Sequence, residues 1–376
     1  MINEINVAII GQRFMGRAHA NAYRQVRAFF APPLVPRLRL ACGRDEAALA
    51  EFARRFGWEE HTTDWHDAVT RDDIDLVDIC VSNDLHAEIA IQAAQAGKAV
   101  FCEKPLGRDL AEARRMLATV EEAEVPHMIC FNYRFFPAIR LAKKLIDDGA
   151  IGEVRQFHAL YLQDWGLDPG IPFTWRFDRE KAGSGALGDT AVHVTDLARF
   201  LGGEIEEVVG DLPTFVHERP LPDGAGTGRV TVDDAALCLA RFQHGASGVF
   251  ETTRVATGRK NFMHLEVDGS RGSVHWNAEE PNVLWFYSLD DPKELRGFRR
   301  ILATEPEHDY AKNWWPPGHT LGYEHSFVHA VYELLTAIAE GRSPAPSFHD
   351  GVKAQAVLEA VARSVEERGW VPVEDD

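Results

Sequence analysis

The sequence predicts an α/β chain in two parts. Residues 1–131 read as an N-terminal doubly wound parallel sheet, and 132–376 as a C-terminal α+β domain with a large open, mostly antiparallel sheet. Three observations carry this. The chain has 376 residues, more than one core usually organises, so two domains are expected. The first third alternates short apolar runs with helical patterns. After about Asn132, strand-like runs succeed one another with little helix between them.

In the first part, Val7–Ile10 is a short apolar run, followed by a helix from about Gly16. Leu38–Cys42 precedes a helix over Glu46–Phe56, Leu76–Val81 precedes Glu88–Ala96, and Ala99–Cys102 precedes Leu110–Ala123. His127–Phe131 closes the series. Short β-branched and apolar runs separated by helices of this length mark βαβ units and a buried parallel sheet. Right-handed crossovers then put a ligand crevice at the carboxyl ends of the strands.

In the second part, Val154–Tyr161, Glu206–Val216, Val230–Phe242, Ser247–Ala256, Phe262–Val267, Ser273–Trp276 and Val283–Tyr287 read as strands. Alternation such as Leu237-x-Leu239-x-Arg241 indicates an antiparallel sheet with one covered face. Helices at about Thr190–Leu201, Tyr323–Ala339 and Asp350–Glu367 are expected to supply the cover. Arg219–Gly228 and Glu305–Gly322, rich in Pro and Gly, read as loops.

Composition narrows the function classes. Hydrophobic residues make up 45% and charged residues 26% of the chain, which excludes general disorder. With 58 acidic against 40 basic side chains the net charge is −18. Such a surface repels nucleic acid and anionic lipid, so neither nucleic acid nor membrane is an expected partner. No apolar run approaches a membrane span. The N-terminus enters Val7–Ile10 without a basic region or cleavage site, so a cytoplasmic location is expected. The five cysteines, Cys42, Cys80, Cys102, Cys130 and Cys238, lie in or beside apolar runs and form no C-x-x-C pair. They read as buried hydrophobes in a reducing compartment, not as disulfides or a zinc site. His61, His66 and His86 are scattered over different loops without ligand spacing, so no metal is expected.

The turn Gly11-Gln12-Arg13-Phe14-Met15-Gly16 sits between the first strand and the first helix. A dinucleotide fingerprint requires there a tight turn and a helix N-terminus aimed at pyrophosphate. The first and third glycines are present, but Arg13 replaces the second, which normally lets the backbone approach the phosphates. Arg13 reads equally as a cation for pyrophosphate and as a solvent-facing side chain. The βα repeats that follow make Gly11, Arg13, Phe14, Met15 and Gly16 candidate cofactor contacts. The second strand ends at Cys42-Gly43-Arg44-Asp45. Gly43 offers no carboxylate for a ribose 2′-hydroxyl and Arg44 offers a guanidinium, so NADP is favoured over NAD, although Asp45 could still reach the ribose.

Three further stretches carry a resemblance: Ser82-Asn83-Asp84-Leu85-His86, Glu103-Lys104-Pro105, and Gly188-Asp189-x3-His193-x2-Asp196. With Val7–His19 and the closing Pro346-Ser347-Phe348-x2-Gly351, they resemble the glucose-fructose oxidoreductase / inositol dehydrogenase (Gfo/Idh/MocA) family over nearly the whole chain. Gln163-Asp164-Trp165, Trp175-Arg176-Phe177 and Trp314–His319 look most like its levoglucosan dehydrogenase and glycoside 3-dehydrogenase branch. The resemblance implies a Rossmann domain at 1–131 and a substrate-binding and oligomerisation domain at 132–376. It also implies hydride exchange between NAD(P) and a secondary alcohol of a sugar, glycoside, anhydrosugar or cyclitol, with C3 the expected carbon. It adds Ser82, Asn83, His86, Glu103 and Lys104 to the cofactor contacts. Tyr133, Gln163, Trp165, Arg176, Asp189, His193 and His319 become candidate substrate contacts. It further implies dimers or tetramers formed through the open sheet.

Alcohol oxidation needs the hydroxyl proton to leave as hydride departs, which a base titrating near neutrality does best. A nearby ammonium stabilises the developing alkoxide. Asp189 and His193, four apart, share a helix face, and the family implies that Lys104 meets that face. His193 is assigned as proton acceptor, Lys104 as electrostatic partner and proton relay, and Asp189 as orienter of His193 or of a sugar hydroxyl. Each has a plainer account by itself: Lys104 as a solvated strand end, His193 as a satisfied helix histidine, Asp189 as an N-cap. Arg13 alone favours the rival reading, a non-catalytic dinucleotide-sensing or scaffold protein. A biosynthetic ketosugar reductase is the alternative within the enzyme class.

Overall fold

The computed structural model describes residues 3–374, and they divide into two compact units. One holds the chain up to Phe135 together with Gly322–Val352; the other holds Phe136–Leu321 and the chain from Lys353 onward.

The first unit is built on a parallel sheet. Its elements in order are β1 (Glu4–Ile10), α1 (Phe14–Phe29), β2 (Val35–Cys42), α2 (Glu46–Phe56), β3 (Glu60–Thr62), α3 (His66–Thr70), β4 (Leu76–Ile79), α4 (His86–Gln95), β5 (Ala99–Cys102), α5 (Leu110–Glu122) and β6 (His127–Ile129). The strand order is β3-β2-β1-β4-β5-β6, with every pairing parallel. β4 and β5 are buried at every residue, as strands covered on both faces must be. The order reverses between β1 and β4, which places the crevice of a doubly wound sheet at their carboxyl ends. Local chemistry sets the helix starts: Asp45 accepts the Ala48 N–H and Asp109 the Glu112 N–H, each satisfying an amide left unpaired by the first turn. Gly57, at φ 81°, ends α2 in the left-handed conformation.

The second unit contains α6 (Pro137–Asp147), β7 (Val154–Leu162), α7 (Arg179–Ala182), a π-helical turn over Leu187–Ala191, and α8 (Val192–Gly202). There follow β8 (Ile205–Asp211), β9 (Glu218–Pro220), β10 (Thr227–Arg229), β11 (Ala235–Phe242), β12 (Ser247–Thr253), β13 (Phe262–Gly269), β14 (Gly272–Asn277), β15 (Val283–Ser288) and β16 (Arg299–Leu302). The chain finishes with α9 (Tyr323–Ala339), α10 (Phe348–Glu367) and β17 (Val371–Pro372). Nine strands form one sheet in the order β16-β15-β14-β13-β7-β12-β11-β8-β17, antiparallel except where β7 and β12 run parallel. α6 packs on β14 and β15, and α8 on β7 and β13.

Several expectations need correction. His61 lies in β3 and His66 opens α3 rather than sitting in loops. Arg219–Gly228 is not all loop, because β9 and β10 pair antiparallel within it. Strands β8 and β11 are shorter than their apolar runs. The Asp234 carboxylate accepts the N–H groups of Phe215 and Val216, at 2.8 and 2.9 Å, and so bends the chain out of the ladder. The segment 322–352 belongs with the first unit. Its helix α9 packs on α1 within that unit, with Phe30 against Tyr332 at 4.8 Å and against His329 at 5.7 Å between ring centres. No helix among the described residues is long and apolar enough to cross a membrane.

Candidate functional site

In the first unit the chain leaves β1 at Gly11, whose φ of 123° is a conformation side chains rarely adopt. A Cβ on Gly11 would stand 2.2 Å from the carbonyl oxygen of Cys80, just beyond β4. One on Gly16 would stand 1.9 Å from the carbonyl oxygen of Gly11. Both glycines are therefore demanded by close backbone packing. The middle position is different: Arg13 has φ −87° and ψ −151°, extended backbone open to any residue, and an exposed side chain. The departure at Arg13 costs the turn nothing. Arg13 makes no side-chain cap bond and the first turn of α1 carries no acid, so the helix start suits an anion, and these residues fit a dinucleotide pyrophosphate. Beside the half-buried Met15, Phe14 is 67% exposed. Its ring lies 6.2 Å from Tyr323, nearly parallel, and Tyr133 lies 6.4 Å beyond Tyr323. Tyr133 is thus a buried residue of the first unit, part of an aromatic row leading to the turn.

At the end of β2, Gly43 lies under Gln12: a Cβ there would meet Gln12 Oε1 at 1.6 Å. Gln12 donates to the Asp45 carbonyl at 3.0 Å. The Asp45 carboxylate is engaged as the cap of α2, while Arg44 is exposed. Ser82 is half-buried ahead of a short 3₁₀ turn over Asn83–Leu85, and Asn83 is buried. His86 is fully buried, with its ring nitrogens at 2.9 Å from the Pro105 carbonyl and 3.3 Å from that of Val81. Burial holds its pKa below the usual value. Its side chain braces the segment after Lys104 and is not presented to solvent as a cofactor contact.

Glu103 is also turned inward. Its Oε1 lies 2.9 Å from His19 Nε2, and its Oε2 accepts the Lys104 N–H at 3.2 Å. The other ring nitrogen of His19 is 2.9 Å from Asp78 Oδ2. Burial pushes the His19 pKa down, but Asp78 and the neighbouring Cys80 and Cys130 together more than offset this, and the ring is raised well above its usual value. Burial likewise opposes ionisation of Glu103, yet His19 holds its carboxyl below the usual range. The trio sets one buried imidazole between two buried carboxyl groups, and the raised value of His19 favours its protonated form. Sequence reasoning missed it, although an acid inside the apolar run Leu76–Val81 is a signal that a buried partner exists. Lys104 itself is half-buried at the carboxyl end of β5.

In the second unit, Asp233 receives the N–H of Gly185 at 2.7 Å and of Leu187 at 2.8 Å, fixing the start of the π-helical turn. A Cβ on Gly185 would stand 1.7 Å from the Asp233 carbonyl oxygen, so only glycine admits this approach. Asp189 lies inside that turn and is not an N-cap; the cap of α8 is Ala191. Asp189 is half-buried and His193, on α8, is 6% exposed. Tyr161 packs against His193 at 5.9 Å between ring centres. Its hydroxyl donates to Asn261 Oδ1 at 2.9 Å. Gln163 donates to the same oxygen at 2.7 Å and accepts the Trp165 indole N–H at 2.9 Å. One chain of contacts therefore links Trp165, Gln163, Asn261, Tyr161 and His193. Trp165 is half-buried, 5.7 Å from Phe177, with the Arg254 guanidinium 5.2 Å from its ring centre. Arg254 also donates to the carbonyls of Asp233 and Arg176. The exposed Arg176 lies over Trp175 at 4.4 Å. His319 is exposed, and its ring nitrogen meets the Pro316 carbonyl at 2.8 Å in a separate turn. Tyr161, Asn261, Asp233 and Arg254 were not anticipated, because their contacts join segments distant in sequence.

Residues 5–131 match the oxidoreductase family's NAD-binding Rossmann fold, and residues 139–275 match the GFO/IDH/MocA C-terminal domain. The chain is 42% identical to levoglucosan dehydrogenase of Pseudarthrobacter phenanthrenivorans, over 99% of each sequence. The chain belongs to the GFO/IDH/MocA oxidoreductases. Two solved structures of similar proteins agree with that assignment. An oxidoreductase domain protein from Kribbella flavida is 52% identical, covers 100% of both chains and superposes with a TM-score of 0.96. A levoglucosan dehydrogenase solved with NADH and levoglucosan is 43% identical, with a TM-score of 0.95 over 99% of this chain and 100% of that one. In this GFO/IDH/MocA oxidoreductase the six-stranded sheet is the NAD-binding fold, and the Gly11–Gly16 turn stands at its switch point.

Proposed function

We propose that the protein is a dehydrogenase that exchanges hydride between NAD(P) and a secondary alcohol of a sugar, glycoside, anhydrosugar or cyclitol, at C3. The observation that carries this is the packing of His193 beside Tyr161, within a row of donors and acceptors suited to sugar hydroxyls. Full-length similarity to levoglucosan dehydrogenase supports the substrate class.

Bound NAD(P) supplies the hydride acceptor. His193 takes the proton of the reacting hydroxyl, and Asp189, held by the turn that Asp233 anchors, orients His193 or a neighbouring hydroxyl. Lys104 stabilises the alkoxide and relays the proton. Gln163 and Trp165 bind ring hydroxyls and the apolar ring face, with Arg176 and Tyr133 as further contacts. His319, tied to its own turn through the Pro316 carbonyl, is a further substrate contact. Gly11, Phe14, Met15, Gly16 and the exposed Arg13 hold the dinucleotide. Domain roles follow: 1–131 binds the dinucleotide, and 132–376 binds substrate and self-associates through the open face of the nine-stranded sheet. NADH complexes of relatives support NAD(H), whereas preference for NADP rests on Gly43 and Arg44 alone. The five free, buried cysteines suit a reducing cytoplasm.

The test is reduction of NAD or NADP, followed by absorbance, with levoglucosan, glucosides and inositols as substrates. Tight dinucleotide binding without turnover on any of them would instead favour a non-catalytic sensing protein.

A further inference from the structure

We propose that His19 is a positioning residue for Lys104, acting through Glu103: it clamps one carboxylate oxygen so that the other pins the Lys104 main-chain N–H. The proposal rests on the reading of Lys104 as part of the reacting machinery.

The geometry argues for more than a buried ion pair. His19 sits on α1 with no exposed surface, its ring stacked on Phe101 at 4.8 Å and tilted against Phe327 at 5.4 Å. Those aromatic contacts fix the ring plane, and Nδ1 then faces Asp78 on β4 while Nε2 faces Glu103 just past β5. Thiols close the remaining sides. Cys80 Sγ lies 3.4 Å from Asp78 Oδ1, and Cys130 Sγ lies 3.5 Å from His19 Nε2. Glu103 therefore cannot rotate without abandoning a buried cation. Its second oxygen is spent on the amide of the next residue, Lys104. Opposite charges buried in this way are costly unless paired, so each contact in the row holds its neighbour in place. The same atoms are close enough to hold a metal ion. Each is already satisfied by a hydrogen bond, however, and a cation would have to displace the Nε2 proton that binds Glu103. The network is protonic. Its output is the direction in which the chain carries Lys104 away from β5. Reaction geometry is sensitive to displacements of about 1 Å.

Two substitutions separate positioning from packing, because the amide nitrogen of Asn falls near imidazole Nδ1 and that of Gln near Nε2. His19→Asn keeps a donor for Asp78 and releases Glu103. His19→Gln keeps the donor for Glu103 and releases Asp78. Both remove the buried cation and lower the melting temperature, so assays are run below both transitions with dinucleotide affinity as the control for folding. The expected result is a roughly 10–100-fold loss of kcat for His19→Asn at nearly unchanged KM, against a loss within about threefold for His19→Gln. Hydrogen exchange over residues 103–106, read by mass spectrometry, should quicken in the Asn variant only. Glu103→Gln retains an oxygen for the Lys104 N–H and a nitrogen facing His19, and should keep kcat within about threefold; it also serves if His19→Asn does not fold. Equal kcat for His19→Asn and His19→Gln, or a loss beyond tenfold in Glu103→Gln with intact dinucleotide binding, overturns the proposal. Lys104→Ala tests the underlying reading separately. If that variant turns over normally, Lys104 leaves the mechanism, and the exchange contrast alone decides whether His19 positions the segment.

Discussion

Asp233 accepts the main-chain N–H of Leu187 at 2.8 Å, two residues ahead of Asp189. Its other oxygen takes the N–H of Gly185 at 2.7 Å, so a single buried carboxylate organises the opening of the segment that carries Asp189 and His193. Asp233→Asn retains one acceptor and turns a donor toward the second N–H. Leaving that buried amide unpaired costs about 1–3 kcal/mol. We expect a lower urea midpoint and a fall in kcat of roughly tenfold, with dinucleotide affinity unchanged because the first unit is untouched. Unchanged kcat at a lowered midpoint would make Asp233 a stabilising residue only.

The cofactor prediction turns on Gln12. Replacing Gly43 by Asp places a Cβ where Gln12 Oε1 now lies, and Gln12 can yield because it is a flexible side chain. The new carboxylate would oppose a 2′-phosphate and favour a 2′-hydroxyl, shifting preference toward NAD by ~1–3 kcal/mol. In the Gln12→Ala background the same change should shift preference equally with less loss of stability. Fluorescence titration with NADH and NADPH reads both. A wild type that binds NADH far more tightly would show that Arg44 does not govern the choice.

Much of this architecture was legible beforehand because local chemistry announced it. β5 and α9 fall on their apolar and periodic runs, and Gly11 and Gly16 were evident from their place after β1. Other elements left too little signal. β3 has three residues and α3 five, too short for a period to register. The β9–β10 hairpin is hidden in a Pro- and Gly-rich stretch. No local pattern tells a helix which part of the chain it will pack with, so α9, expected with the second part, lies in the first unit. The site divides the same way. Asp189 and His193 are marked by residue type and spacing and Lys104 by the family resemblance, whereas His19 meets Asp78 across 59 residues and Glu103 across 84, which only the folded sheet brings together.

Two kinds of histidine should give stability a maximum near neutral pH. Burial, and then His349, lower the pKa of His127 to about 4, and its Nδ1 accepts the Phe348 N–H at 3.1 Å. Above pH 6.5 neither folded nor unfolded chain is protonated there. Between about 6.5 and about 4 only the unfolded chain takes the proton, so stability falls with falling pH, by at most about 3 kcal/mol. Buried His329, lowered to about 3, acts in the same sense. His19 has the opposite sign. Its raised value means that only the folded state holds the proton just above pH 6.5, and its contribution is lost as pH rises through the folded value. Urea melts from pH 5 to 9 should show both limbs. His127→Asn, which keeps an acceptor for Phe348, should make the acid limb shallower, with His329 still contributing, and leave the alkaline limb as it is; an unaltered acid limb would remove His127 as one of its sources.

The open sheet face predicts self-association. On β11 and β12, Leu237, Leu239 and Val249 are 43%, 47% and 43% exposed, and Leu239 pairs directly with Val249. Neighbouring exposed apolar side chains on a sheet face favour a second copy. Sedimentation at micromolar concentration should give a species larger than the 42.0 kDa chain, and Leu239→Asp should shift it toward monomer. A monomeric wild type would reject the interface.

The catalytic assignment is tested by removing its two charged groups separately and together. Lys104→Ala takes away the ammonium proposed to stabilise alkoxide, and His193→Ala takes away the proposed proton acceptor. Each should lower kcat by about 10²–10⁴, the usual scale of electrostatic and acid–base contributions. Dinucleotide affinity should survive in both, because the pyrophosphate is assigned to the Gly11–Gly16 turn and the start of α1, to which neither side chain contributes. The double variant should lose far less than the product of the two single losses, since both groups serve one proton transfer. His193→Ala should in addition reshape the pH profile of kcat, whereas a change at Tyr161 that merely loosens packing beside His193 should lower kcat without moving the profile. A His193→Ala enzyme with near-normal turnover and the parent profile would take His193 out of the mechanism, whatever becomes of Lys104.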